Sequence, residues 1–235
     1  MKILAADTST SINTVAVCDG DAVWVETVAQ CGRRHSERLI ETVHWVLREA
    51  GLELRDLDAL AISNGPGSFT GLRVGVATWK GLALGAGLPL VAVPTLDALA
   101  RCAGIYSGDA CPVIDAKMGE VFGAFYEFTD GQRMKRTEDR VCPVESLLCE
   151  ARQHTFVFGD GAERYRERIE ACAPSVRFLP KAAGLPRASC VAAEACALLE
   201  VGASADPALV APVYLRKSQA EENRERPSTA EASEP

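Results

Sequence analysis

At 235 residues, with 48% hydrophobic and 24% charged side chains, the chain has room for one large or two small domains and enough apolar content for a real core. A net charge of −7 and a sequence pI near 5.1 argue against this chain gripping a nucleic acid alone, because phosphate backbones are held by clustered Lys and Arg. Nine scattered cysteines without a CxxC pair exclude a disulfide framework and a zinc-ligand spacing, and they suit a reducing cytosol.

The apolar run at Ile3–Ala6 is too short for a signal peptide and ends in Asp7. The longest uncharged stretch, Gly81–Leu96, contains Pro89 and Pro94 and falls short of the roughly 18 apolar residues that span a bilayer. A cytoplasmic protein with no membrane contact is expected. The tight basic clusters, Arg33-Arg34 and Arg133, Lys135 and Arg136, are short and read as solvated loops.

Three strands open the chain: Ile3–Ala6, Thr14–Cys18 after the polar turn Thr8–Ser11, and Ala22–Ala29 after the Gly turn at Asp19-Gly20-Asp21. Leu39, Ile40, Val43, Val46, Leu47 and Ala50 recur at helical spacing, which predicts a helix over Ser36–Ala50 closed by Gly51. A buried strand at Ala59–Ser63, the loop Asn64–Ser68, a helix over Phe69–Gly85 and a strand at Leu90–Val93 follow. Thr95 is a candidate N-cap for a helix over Leu96–Ala103, with Asp97 in its first turn.

From Cys111 the pattern begins again. Cys111–Ile114 ends at Asp115, the turn Ala116–Gly119 follows, and Val121–Phe128 reads as one strand before Asp130-Gly131. Strand, Asp, polar turn, strand and Gly turn are thus written twice, a weak internal repeat. Helices are expected over Val144–Ala151, Ala162–Ala173 and Cys190–Val201, a strand over Phe156–Phe158 and a loop at Gly159-Asp160-Gly161. Val213–Leu215 is the last apolar piece, and Lys217–Pro235 reads as a disordered polar tail.

The duplicated unit resembles the actin-like ATPase superfamily, in which two similar halves offer hairpins to nucleotide phosphates across a cleft. Ile3–Thr10, His35–Leu39, the long motif Ser63–Gly75, Asp115–Val121 and Tyr214-Leu215-Arg216 narrow the likeness to the TsaB family, also called YeaZ. It runs from residue 1 to about 216. The resemblance implies an α/β, actin-like ATPase fold with two related halves, each a mixed sheet with flanking helices. The first half is expected over residues 1–105, with 190–216 packing back on it, and the second over 106–189. It also implies a non-catalytic subunit that pairs with a TsaD homologue, is joined by TsaE, and helps place threonylcarbamoyl on the tRNA adenosine beside the anticodon. Such a chain would pair with itself when alone, meet tRNA only through the complex, and leave ATP and metal to its partners.

The residues bear on that reading one by one. TsaD-type enzymes hold metal with two His four apart on the first helix. Here His35 is followed at that spacing by Leu39, while His44 and His154 lie elsewhere, so no metal is expected. HExxH and GxSxG are absent, which removes the usual protease signatures. Asp7, Thr8 and Ser9 in one half, and Asp115, Lys117 and Gly159-Asp160-Gly161 in the other, match places where active relatives hold Mg-nucleotide. Side-chain-to-backbone turn making explains the same acids without a ligand, and a vestigial site is the expectation. The Gly65–Gly75 loop lacks the P-loop Lys and the third Gly of GxGxxG, and Ser68 suits a helix N-cap. Gly71 and Gly75, like Gly81 and Gly85, are four apart and allow close helix approach. With the family's use of these helices, a subunit interface is expected at Leu39, Val43, Leu47, Gly71, Arg73, Gly75 and Lys80. An actin-like ATPase or small-molecule kinase, and a plain homodimeric interaction protein, remain as alternatives.

Overall fold

The computed structural model describes residues 1–30, 35–105 and 107–216, the side chains of 35–37 excepted. Arg33-Arg34 and the tail from Lys217 lie outside the described residues. Among those described, no helix is long and apolar enough to cross a membrane.

The first sheet is built from β1 (Lys2–Asp7), β2 (Ile12–Asp19) and β3 (Ala22–Gln30), then, after α1 (His35–Ala50), from β4 (Ala59–Gly65), and after α2 (Phe69–Ala86), from β5 (Leu90–Pro94). Its order is β3-β2-β1-β4-β5, antiparallel through the opening meander and parallel from β1 to β5. The alternation along β1 decides which layer each side chain joins. Leu4 and Ala6 face α1 and α2 with Leu39, Val43, Val46 and Trp79, whereas Ile3 and Ala5 face the opposite layer. α3 (Thr95–Cys102) follows β5.

The second sheet repeats that order. β6 (Gly108–Lys117) is its central strand, followed by β7 (Glu120–Gly123), β8 (Tyr126–Thr129), β9 (Gln132–Lys135), β10 (Arg140–Pro143), α4 (Val144–Leu148), β11 (Phe156–Phe158), α5 (Asp160–Arg164), α6 (Arg166–Cys172) and β12 (Arg177–Phe178). The order β10-β7-β6-β11-β12 matches the first sheet position for position, and the β8–β9 hairpin is appended to β6. α7 (Ala188–Glu200) then returns to the first sheet, where Ala188, Val191, Ala192 and Ala195 bury against Ile3, Ala5, Val91 and Val93. α3 joins the halves: Ala98 packs in that layer, and Leu96 and Leu99 pack against Ile114 and Phe122 of the second sheet.

Several elements differ from the sequence expectation. Val121–Phe128 is not one strand. The pairings Val113↔Gly123 and Ala110↔Tyr126 share one register, which places Pro112 opposite Ala124. Pro has no N–H to give the ladder. The chain turns aside there, with Phe125 N–H donating to Thr137 Oγ1 at 2.9 Å. The single helix expected over Ala162–Ala173 is two, broken at Tyr165 with φ −108 and ψ 22. The helix expected over Val144–Ala151 stops at Leu148. Thr95 does not cap α3; its Oγ1 accepts the N–H of Gly65 at 3.1 Å and so pins the β4 loop to the start of α3. Ile40, counted with the helical core stripe, is 43% exposed.

Residues Asp206–Arg216 form a strap. Lys80 Nζ donates to the Ala208 and Val210 carbonyls at 3.1 and 2.9 Å, and Val210 enters the first core. Val213 N–H donates to Asn64 O at 2.7 Å, and Tyr214 stacks on Phe69 with ring centroids 4.5 Å apart. Arg216 then reaches the second half, donating to Ala116 O at 3.1 Å and pairing with Glu120 at 3.3 Å.

Candidate functional site: a cleft between the two halves

In each half an acid at or near the end of the central strand closes its own turn. Asp7 Oδ1 accepts the Ser9 N–H at 2.9 Å and the Ser9 hydroxyl at 2.8 Å. Asp115 Oδ1 accepts the Lys117 N–H at 2.9 Å, the same two-residue step. The first hairpin is then packed onto α2. Thr8 Oγ1 donates to Gly71 O at 2.8 Å, and Ser68 N–H donates to Ser9 O at 2.7 Å. Asp7, Thr8 and Ser9 are all buried.

The second hairpin carries a cation of its own. Lys117 adopts φ 66, a left-handed conformation that a side chain seldom takes without support. Its Nζ meets Asp115 Oδ2 at 2.6 Å. Arg164 stands 3.4 Å from the same oxygen, and the Tyr165 hydroxyl donates to Asp115 Oδ1 at 3.1 Å. Burial works to raise the Asp115 carboxyl, but the bonds from Lys117 and the nearby Arg164 charge outweigh it and hold the group below its ordinary range. Asp160 Oδ1 accepts the Asp115 N–H at 3.0 Å. Its carboxyl is pushed up, first by burial, with the Asp115 charge adding to the effect. Gly159 and Gly161 allow this approach: a Cβ at Gly159 would lie 2.3 Å from Val113 O, and one at Gly161 2.8 Å from Ile114 C.

The cleft between the halves has a volume of about 200 Å³. Gly159 and Asp160 line it, facing Thr10, Ser11 and Gln30, with Lys181 beside them. The structure therefore joins Asp115, Lys117 and Asp160 in one network, and it keeps Asp7, Thr8 and Ser9 in a separate one. Among the described residues no group of three His, Cys, Asp or Glu side chains could hold a metal ion. His44 and His154 are both exposed.

The residues expected at a subunit interface are largely used inside the chain. Leu39 and Val43 are in the first core, and Leu47 packs at its edge. A Cβ at Gly71 would lie 2.0 Å from Thr8 O and one at Gly75 2.2 Å from Thr8 Oγ1, so both glycines seat the chain's own hairpin. Arg73 Nε donates to the Tyr214 hydroxyl at 2.9 Å, and Lys80 clasps the strap. What α1 presents outward is Ile40 and Trp45, 43% and 42% exposed, in an open groove of about 840 Å³ shared with Thr27 and Ala29 of β3. On α2, Leu84 is 63% exposed, and Gly81 and Gly85 face open space. Trp45 is legible in the sequence as an aromatic residue outside the Leu39–Val43–Val46 stripe.

Two sheets of one strand order, each with an acid at or near the end of its central strand and a hairpin turn following it, make this an actin-like ATPase fold. The family profile described as "TsaD: tRNA N6-adenosine threonylcarbamoyltransferase" matches residues 29–224. The Bacillus subtilis protein called "tRNA threonylcarbamoyladenosine biosynthesis protein TsaB" is 30% identical over 225 residues, 94% of this chain and 96% of that protein. Its Escherichia coli namesake is 42% identical over 129 residues, 54% of this chain and 55% of its own. The solved structure "YeaZ from Pseudomonas aeruginosa" superposes with a TM-score of 0.77 at 30% identity, covering 91% of this chain and 99% of that one. At 16% identity and a TM-score of 0.52, the ethanolamine utilization protein EutJ from Carboxydothermus hydrogenoformans shares the fold alone, over 82% of this chain and 90% of its own. The chain belongs to the TsaB family.

Proposed function

We propose that this chain serves the making of threonylcarbamoyladenosine in tRNA, as a subunit that binds and activates a TsaD-type transferase with a TsaE homologue. The observation that carries this reading is the end-to-end likeness to the Bacillus subtilis biosynthesis protein. A non-catalytic role is supported by the second hairpin, where Lys117 and Arg164 already neutralise Asp115. ATP and metal then belong to the partners, tRNA is met only through the complex, and the chain works in the cytoplasm. The partner face is the groove around Ile40 and Trp45 together with the outer side of α2 at Leu84. Without the transferase the same face pairs two copies of the chain.

The test is co-purification with the TsaD homologue from the same source, followed by a tRNA threonylcarbamoylation assay. The reading expects a stable pair, activity that requires this chain, and no loss on Asp115→Asn. Trp45→Glu places a charge in the groove and should weaken the pair by roughly 30-fold or more, the loss expected of an aromatic anchor. Modification that proceeds unchanged without the chain would sink the proposal. A catalytic role is the second reading, since the matching profile bears a transferase's name. It requires activity to collapse on Asp115→Asn while the complex stays intact.

A further inference from the structure

The halves are joined by more than the packing of α3. The β8–β9 hairpin, paired to the start of β6, reaches across to α3 and α7, which pack on the first sheet. Arg133 of β9 pairs with Glu194 of α7 at 2.6 Å, and its other terminal nitrogen donates to the Asp97 carbonyl of α3. Lys135 Nζ and the Tyr126 hydroxyl both donate to Asp97 Oδ1, at 2.9 and 2.6 Å. Arg101 of α3 completes the group, its Nε 3.0 Å from Glu194 Oε2. The Glu194 side chain is only 7% exposed, so salt screens these pairs little. The strap makes a second crossing. Arg216 donates to Ala116 O and pairs with Glu120 at the other end of β6, while Lys80 and Asn64 hold the strap through the carbonyls of Val210 and Ala211. The extended chain from Ala110 to Ala116 sets the two crossings roughly 20 Å apart along one strand.

We propose that these two clasps hold the halves at one fixed separation, so that the cleft does not open and close as hinged two-lobed proteins do around a ligand. This inference is independent of the tRNA reading. Two bodies in one chain move against each other by default unless their interface forbids it. Here the forbidding is geometric. A body gripped at one point pivots about it. Gripped at two, it turns only about the line between them, and the contact of Leu96 and Leu99 with Ile114 and Phe122 opposes that turn. Glu194 is the catch of the first clasp. One buried carboxylate serves Arg133 of the hairpin and Arg101 of α3, so its loss leaves two guanidinium groups without that acceptor. Arg216 is the catch of the second, and its loss releases only the turn end of β6.

The experiment measures amide residual dipolar couplings on the whole folded chain, weakly aligned, and fits an alignment tensor to each half separately. One tensor should describe both halves of the wild type. In the double variant Glu194→Gln, Arg216→Gln the two tensors should part in magnitude, because motion of one half against the other averages its couplings. Amide exchange along Gln132–Lys135 should speed up by roughly 10-fold or more in Glu194→Gln and stay within about 2-fold in Arg216→Gln, since the clasps act at opposite ends of β6. Wild-type couplings that demand two tensors, or a double variant whose halves still share one, would overturn the proposal. Should Glu194→Gln fail to fold, Tyr126→Phe takes its place, keeping the buried ring and losing one crossing bond. With Arg216→Gln it should part the tensors to a smaller degree, and a single shared tensor there again counts against the clasps.

Discussion

Four glycines share α2, and their surroundings set them apart. Gly71 and Gly75 press on Thr8, whereas Gly81 and Gly85 have nothing within 4 Å of a would-be Cβ. Gly71→Ala and Gly75→Ala should each cost about 1–3 kcal/mol through overpacking against the hairpin. Gly81→Ala and Gly85→Ala should instead gain up to about 1 kcal/mol, because Ala is the better helix former. Urea denaturation of the four variants separates the two pairs. Asp160 makes a pH prediction of the opposite sense to a normal ion pair. Its folded carboxyl is raised, so at neutral pH its charge is a burden on the folded state, and that burden lifts as pH falls through the raised value. Asp160→Asn keeps the acceptor for the Asp115 N–H and removes the charge. It should raise the thermal midpoint at neutral pH, with the gain shrinking toward the acid side; a midpoint gain that does not change with pH would contradict this.

Helices and strands were readable where a stripe was written locally. The Leu39–Val43–Val46 spacing and the alternation through Ile3–Ala6 describe their own burial. Elements decided by a distant partner were not. The break in Val121–Phe128 depends on Pro112 in the facing strand, and β9 (Gln132–Lys135) shows no apolar alternation and exists only by pairing with β8. At the site, Asp7 and Asp115 were visible as turn makers because the acceptor and the N–H it binds are two residues apart. The roles of Arg73 and Lys80 were hidden, since their partners Tyr214, Ala208 and Val210 lie over a hundred residues away. The strap those residues hold gives an element-scale prediction. Tyr214→Ala should cost on the order of 1 kcal/mol from the lost stack with Phe69 and speed hydrogen exchange at the Val213 N–H. Exchange that is unchanged there would mean the strap is held without the ring.

Across the whole molecule, the repeat of one strand order does not give two equal bodies. The first sheet has helices on both faces, and one of them, α7, is supplied from beyond the second sheet. The second sheet buries one face on α3 and the other on α4, α5 and α6. A chain of residues 1–105 alone therefore bares the Ile3, Ala5, Val91 and Val93 face. Expressed by itself it should be insoluble, or should bind a hydrophobic dye far more strongly than the full chain. A soluble, cooperatively unfolding fragment would contradict this account.

The return of α7 also orders events in time. A ribosome delivers β1 long before Ala188, so that strand waits through the synthesis of everything between them with one apolar side open. Contacts between elements as far apart in sequence as β1 and α7 must close before that side is sealed, and they close slowly. The interval is one in which neighbouring nascent chains can trap each other through their bare sheets. Yield on overproduction should thus depend more on translation speed and chaperone supply than on the stability of the finished fold.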